Sequence, residues 1–424
     1  MNEKEGSKDA PLAGVRVVDM ATVLMGPVAT QVLGDYGADV IKVEPPEGDV
    51  MRHAGIARHA QMGSMYLTTG RNKRSVVLDI KQPGGKKALL RLCETADLFI
   101  HNVRPAAMRR AGLSYEDIRA VNPSIVYVAL VGFGQDGPYA AKPAFDDIIQ
   151  AASGLAGLFV RAGHEAPAFV PANLCDRMTG LAAVHAVLAA LYMRQKTGRG
   201  QSIEVPMFET LVQTILGDHL SGEAFVPPAG PTGYSRLLNA HRKPFRTLDG
   251  YMAVTPYSDK QFRAFFSAID RVDEYDGDAR INQHAARAQN YDVAYAKLAG
   301  IIATRTTAEW LGLCAAYEIP CQKVNSLEDV LADEHLRQVG FFEEVEHPTE
   351  GRVRQLRVPA RWSSANVSTR RLPPRVGEHS VEVLRESGLA QDEIDELLAC
   401  GATAQASPPP SSPEAAACAA AAAK

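Results

Sequence analysis

The segment Asn173-Leu174-Cys175-Asp176-Arg177-Met178-Thr179-Gly180 sets an aspartate where a loop gives way to apolar residues at helical spacing. The pattern makes Asp176 the opening residue of a helix, a place where an acidic side chain commonly caps free amides. The same geometry suits a nucleophile. Amide N–H groups and the positive end of a helix hold a carboxylate ionised and aimed, as attack at neutral pH requires. The small neighbours Ala172 and Gly180 leave room for a substrate to approach.

Arg104 and Arg110 follow the strand-like run DLFIHN. Open parallel sheets bind ligands beyond the carboxyl ends of their strands, and paired arginines there can grip phosphates through parallel N–H donors. Solvated surface arginines are the competing reading. Gly132, Gly134 and Gly137 spell G-x-G-x-x-G after the run SIVYVALV. The context fails a dinucleotide site: Pro138 follows at once, no helix opens to receive a pyrophosphate, and the run is a late strand. Neither GxxxxGK[ST], HExxH nor GxSxG occurs, so phosphate-loop, zincin and hydrolase-elbow chemistry lack their signatures.

These residues need a scaffold. VRVVDM, ADVIKVE, RSVVLDI, DLFIHN and SIVYVALV alternate with GPVATQVLGDYG, GGKKALLRLCETA and PAAMRRAG. Apolar β-branched runs separated by helical stretches predict a parallel sheet covered on both faces, an α/β domain of doubly wound type. A buried helix is expected over Asp176–Gln195, stopped by Lys196 to Gly200, with QSIEVPMF as a further strand. Pro and Gly then accumulate from Gly222 to Tyr234, and Leu248–Ile319 reads as a smaller α+β unit. FFEEVEH and VRQLRVP are later strands, and Ser380–Leu398 a last helix. The expected boundaries are a large domain over residues 10–205, a linker over 206–228, a small domain over 229–330, a linker over 331–350, a return to the large domain over 351–400, and a disordered tail over 401–424.

The chain has 424 residues and a formal net charge of -4. Without a basic excess, nucleic acid is not an expected partner. Cys93, Cys175, Cys314, Cys321, Cys400 and Cys418 form no CxxC pair and no zinc spacing, so free thiols and no metal site are expected. The N-terminal MNEKEGSKDAPLAG lacks a signal-like apolar core, and the most apolar stretch, Leu181–Met193, falls short of a membrane span. A cytoplasmic, non-membrane protein is the expectation.

Taken together, PLAGVRVVDMATVLMGPVATQVLGDYGADVIKVE, NKRSVVLDIK, HNVRPAAMRRAGL, VGFGQDGP, FDDIIQAASG, KTGRGQ, YEIPC and GEHSVEVLRESGL resemble, in order, the class III CoA-transferases of the CaiB/BaiF type, which include formyl-CoA and carnitine CoA-transferases. The resemblance spans residues near 11 to near 398. It implies a Rossmann-like large domain built from both chain ends, a small domain between them, and an interlocked homodimer. It implies that CoA is moved from an acyl-CoA to a small carboxylic acid through a covalent adduct on Asp176, with CoA as substrate and no permanently bound cofactor. The implied CoA contacts are Leu24, Met25, Pro45, Leu78, Asp79, Lys81, Asn102, Val103, Arg104, Arg110 and Asp146. Leu24 replaces the glutamine of formyl-CoA transferases, and the glycine-rich loop over their formyl-CoA site is missing, which argues against formate and oxalate.

A racemase of the same fold needs a histidine where this chain has Phe145, which cannot transfer protons. A non-catalytic CoA-binding protein is a further alternative, against which the retained Asp176 speaks. The basic cluster His241, Arg242, Lys243 and Arg246 points to a dicarboxylic substrate such as succinate, since a guanidinium can hold a second carboxylate. Solvation of a linker is the competing use of that cluster.

Overall fold

The computed structural model describes residues 9–407. Contacts divide the chain into two units. The first comprises the N-terminal part to Ile149, Pro171–Leu211, and the part from Arg337 onward; the second comprises Gln150–Val170 and Val212–Leu336.

The first unit is built on six parallel strands: β1 (Arg16–Asp19), β2 (Asp39–Glu44), β3 (Lys73–Val77), β4 (Leu98–His101), β5 (Val126–Val131) and β6 (Gln201–Pro206). Their spatial order is β3-β2-β1-β4-β5-β6. Successive residues face opposite sides, so β1, β2, β4 and β5 each feed two cores. Val18, Ile41, Val76 and Phe99 pack with Leu89 and Leu92 of the helix Pro83–Glu94. Val17, Val40, Leu98 and Val128 pack on the other side with Ala29 and Leu33 of the helix Met25–Asp35 and with Ala183 and Val187 of the helix Leu174–Thr197. Burial on both faces explains why these strands read as unbroken apolar runs.

The chain end returns to this sheet. Arg74 of β3 bonds Glu382 and Glu386 at 2.9 Å each, and the Val77 amide donates to Ser380 Oγ at 3.1 Å. The large unit is thus built from both ends of the chain. A separate antiparallel hairpin, β10 (Phe342–His347) with β11 (Gly351–Leu356), belongs to it as well. The second unit carries β7 (Phe245–Arg246), β8 (Tyr251–Val254) and β9 (Cys321–Lys323) in an antiparallel sheet. Its core joins Phe262, Phe265, Phe266 and Trp310.

Several expectations are corrected. The long helix begins at Leu174, with Asn173 as its cap, so Asp176 is the third helical residue and not the cap. This helix runs 24 residues to Thr197 and is capped by Gly198, whose φ of 71° suits glycine. It is therefore long and apolar enough to cross a membrane, unlike the shorter stretch read from the sequence. Its buried side is spent against the first helix and the sheet. β6 stops at Pro206, and Met207 starts a helix. The last helix is two, Ser380–Glu386 and Gln391–Ala399, broken at Gly388 with φ 83°.

Residues 150–170 group with the second unit, although the linear boundaries placed them in the first. Arg161 donates to the Thr232 carbonyl at 2.6 Å, an excursion no local pattern announces. The tail expected from residue 401 is packed at its start: Ala402 accepts from the Asp79 amide at 2.9 Å, and Thr403 Oγ1 donates to the Val77 carbonyl at 2.7 Å. Residues 408–424 of that expected tail, Cys418 among them, lie outside the described residues.

Candidate active site

Because all six strands run parallel, the segments leaving them meet along one edge. Leu24 and Met25 follow β1, Pro45 follows β2, Leu78, Asp79 and Lys81 follow β3, and Asn102, Val103 and Arg104 follow β4. Strand order reverses between β1 and β4, the position where such sheets open a crevice. A cavity of about 250 Å³ lies there, lined by Thr22, Val23, Met25, Asn102, Arg104, Gln135, Lys142, Phe145 and Asp176.

Asp176 enters this cavity from the first turn of the long helix. Gly180, one turn on, lets that helix approach the first helix closely: a Cβ there would stand 2.7 Å from the Met25 carbonyl oxygen. Asp146, buried, accepts a hydrogen bond from the Asp176 amide at 3.0 Å. Burial first, and the Asp146 charge second, raise the Asp176 carboxyl from its ordinary 3.8 to about 6, with Arg177 opposing. The helix end was expected to favour the ionised form. The structure reverses the net effect, because desolvation and a neighbouring carboxylate outweigh it. Burial, then the charges of Asp146 and Asp176, raise the Cys175 thiol to about 12, so it is a protonated packing residue and not a nucleophile.

Of the residues implied by the resemblance, Met25, Asn102, Arg104 and Asp176 line one cavity, with Asp146 bonded beside them. Leu24 and Leu78 are buried, which leaves their side chains to the core. Pro45, Lys81 and Arg110 are exposed, while Asp79 and Val103 are half-buried. Asp79 accepts from the Lys81 amide at 3.1 Å and from Gln82 at 3.0 Å. In the second unit His241, Arg242, Lys243 and Arg246 are all exposed.

The glycine motif is accounted for by packing. A Cβ on Gly132 would stand 2.2 Å from the Ala144 Cβ. The Gly134 and Gln135 amides donate to Glu209 and Glu204 at 3.0 and 2.9 Å, so carboxylates occupy the donors that a phosphate would need. No histidine lines the Asp176 cavity among the described residues, and Phe145 is there instead. Among the described residues no cluster of His, Cys, Asp or Glu could hold a metal.

Sequence reasoning missed Thr22, Val23, Gln135 and Lys142. Lys142 stands over the Tyr139 ring at 3.6 Å. The rule that ligands gather beyond carboxyl strand ends pointed to the loop after β5, but not to which of its residues faces the cavity. A six-charge cluster beneath the edge was also missed. Asp19, Lys42, Glu44, Asp49, Arg52 and Lys73 are each no more than 2% exposed. The signal was present as Lys42 and Lys73 within apolar strand runs, which a buried charge tolerates only when paired.

The model of CoA-transferase family III matches residues 12–380. The chain is 33% identical over 402 residues to the succinyl-CoA:glutarate CoA-transferase of Mus musculus, covering 93% of this chain and 91% of that protein. It is 32% identical over 401 residues to the succinate–glutarate CoA-transferase of Agrobacterium fabrum, covering 90% and 96%. A CaiB/BaiF family protein from Brucella suis superimposes with a TM-score of 0.76 at 30% identity, over 90% of this chain and all of that one. With the family model matched over most of the sequence and the same fold in a solved relative, this chain belongs to CoA-transferase family III.

Proposed function

We propose that the protein transfers CoA from an acyl-CoA to a dicarboxylic acid of four or five carbons, with Asp176 as the covalent nucleophile. The observation that carries this reading is Asp176 itself: a half-buried carboxylate in a cavity at the sheet's switch point, with its pKa raised to about 6. A raised pKa makes a stronger nucleophile that is still largely ionised at neutral pH.

The steps balance without an external energy source. An Asp176 oxygen attacks the thioester carbonyl, the C–S bond breaks, and CoA leaves as a thiolate from a mixed anhydride. The thiolate attacks the aspartyl carbonyl of that anhydride, releasing the donor as a carboxylate and leaving an aspartyl-CoA thioester. The acceptor carboxylate attacks this thioester and expels the thiolate, which attacks the acceptor's carbonyl in the new anhydride. Product acyl-CoA departs and the Asp176 carboxylate is restored. CoA's phosphates and adenine are assigned to the exposed edge near Pro45, Lys81, Arg104 and Arg110. The relatives named for succinate and glutarate support a dicarboxylate. Phe145 in the cavity weighs against the racemase reading.

Incubation with succinyl-CoA followed by mass spectrometry of the peptide containing Asp176 tests the reading. An adduct on Asp176 that disappears in Asp176→Asn is expected; turnover without an adduct, or an adduct elsewhere, overturns it. Competition between succinate or glutarate and matched monocarboxylates tests the acid class. Equal turnover of both classes removes the dicarboxylate assignment. An interlocked homodimer is also proposed, and light scattering should give twice the 45.7 kDa chain mass.

A further inference from the structure

Val23 lies between β1 and the first helix, in the wall of the Asp176 cavity, with φ of 66°. A β-branched side chain in the left-handed region is a steric outlier, and such a conformation persists only where its surroundings impose it. Here they do. The Ala21 amide donates to Asp19 at 2.9 Å, and the Ala21 carbonyl accepts from Lys42 Nζ at 3.0 Å. The Thr22 amide donates to Asn102 Oδ1 at 2.9 Å, and Asn102 Nδ2 donates back to the Thr22 carbonyl at 2.7 Å. The Val23 amide donates to Asp49 at 3.2 Å. Five consecutive backbone polar groups are each held by a side chain.

The clamps are themselves fixed. Lys42 bonds Asp49 at 2.7 Å, and Glu44 accepts from the Asp49 amide at 2.9 Å and from Arg52 at 2.7 Å. Lys73 reaches Thr30 at 2.8 Å and Asp19 at 3.3 Å. Three carboxylates face three cations, so the cluster is neutral as a whole.

From this geometry we infer that Asp49 and Asn102 are positioning residues for acyl transfer: they hold the strained Ala21–Val23 turn as a rigid wall facing Asp176. The turn leads directly into Met25, whose carbonyl touches the Gly180 turn of the long helix, so the clamp also sets the wall's distance from the nucleophile. Asn102 acts through Thr22 in this account, and not as a CoA contact. The inference rests on Asp176 as the nucleophile. Reaction between a bound acyl group and a fixed carboxylate depends steeply on placement, so loosening the wall costs rate more than binding.

Val23→Gly relieves the strain and frees the turn. It should lower kcat at least about tenfold, leave KM for succinyl-CoA within about twofold, and leave the melting temperature unchanged or raised. Asn102→Ala should also lower kcat at unchanged KM, and the double variant should lose little more than either single one. Wild-type kcat in Val23→Gly, or a raised KM at full kcat in Asn102→Ala, overturns the inference. Single-turnover adduct formation separates the two levels. No Asp176 adduct in the wild type overturns the nucleophile reading itself, whereas equal adduct rates in wild type and Val23→Gly overturn only the clamp. Asp49→Asn is the less clean variant because it strips a buried partner from Lys42.

Discussion

The buried Asp146 carboxylate accepts a hydrogen bond from the backbone amide of Asp176 at 3.0 Å, so one acidic residue both anchors the other's helical turn and raises its side-chain pKa. The arrangement couples position to protonation. Adduct formation by wild-type protein should rise with pH through a midpoint near the Asp176 value of about 6, because only the carboxylate attacks. Asp146→Asn keeps an acceptor for the amide but removes the charge, and should move the midpoint to lower pH. A midpoint that stays put, read from single-turnover rates, contradicts the coupling.

Asp176→Asn should abolish transfer, retain CoA binding, and stabilise the protein. The folded-state pKa lies above the ordinary 3.8, so the group's contribution is fully present below pH 3.8 and lost as pH rises through 6. At pH 7 to 8 the ionised form costs the native state about 1 to 3 kcal/mol, discounted for partial exposure. Removing that charge should raise the melting temperature by a few degrees in this range. Thermal unfolding at pH 8 decides it, and a lower melting temperature for the variant contradicts the assigned shift.

Arg104 lines the same cavity as Asp176 and is exposed. Arg104→Glu should raise KM for every acyl-CoA by about tenfold or more, whatever the acyl group, since it removes contact with the shared carrier. Steady-state kinetics with succinyl-CoA, glutaryl-CoA and acetyl-CoA test this. An effect confined to one acyl group assigns Arg104 to the acyl end instead.

His101, the last residue of β4, is fully buried beside Phe99 and Tyr127, and neither ring nitrogen makes a well-aligned hydrogen bond. Burial lowers its pKa from 6.5 to about 4, with a backbone interaction at Val103 opposing only in part. Above pH 6.5 both folded and unfolded forms are neutral and nothing is lost. Between pH 6.5 and 4 the unfolded chain binds the proton first, so stability falls with pH, by about 3 kcal/mol across the window. His101→Leu should lack this loss. Denaturant unfolding of both proteins at pH 7.5 and 5 measures it, and parallel losses in the two contradict the buried neutral imidazole.

The sheet was legible because its evidence is local. A strand covered on both faces must be apolar throughout, and VRVVDM, DLFIHN and SIVYVALV announce that covering before any partner is known. Asp176 was legible as a candidate as well, since an acidic residue one turn before Gly180 at the start of a long apolar helix is a pattern within a few residues. Tertiary structure decided what depends on residues far apart in the chain. Nothing near Asp176 in sequence tells that Asp146, thirty residues earlier, accepts its amide and raises its pKa. Nor does anything near Val23 tell that Asp49 and Asn102 converge on its turn. Charge and strain act through space, and which charges become neighbours is set when parallel strands bring their carboxyl ends to one edge. Sequence by itself therefore determined the sheet, its covering helices and the place of Asp176 at the start of the long helix; only the fold decided that carboxylate's proton affinity and the wall it faces.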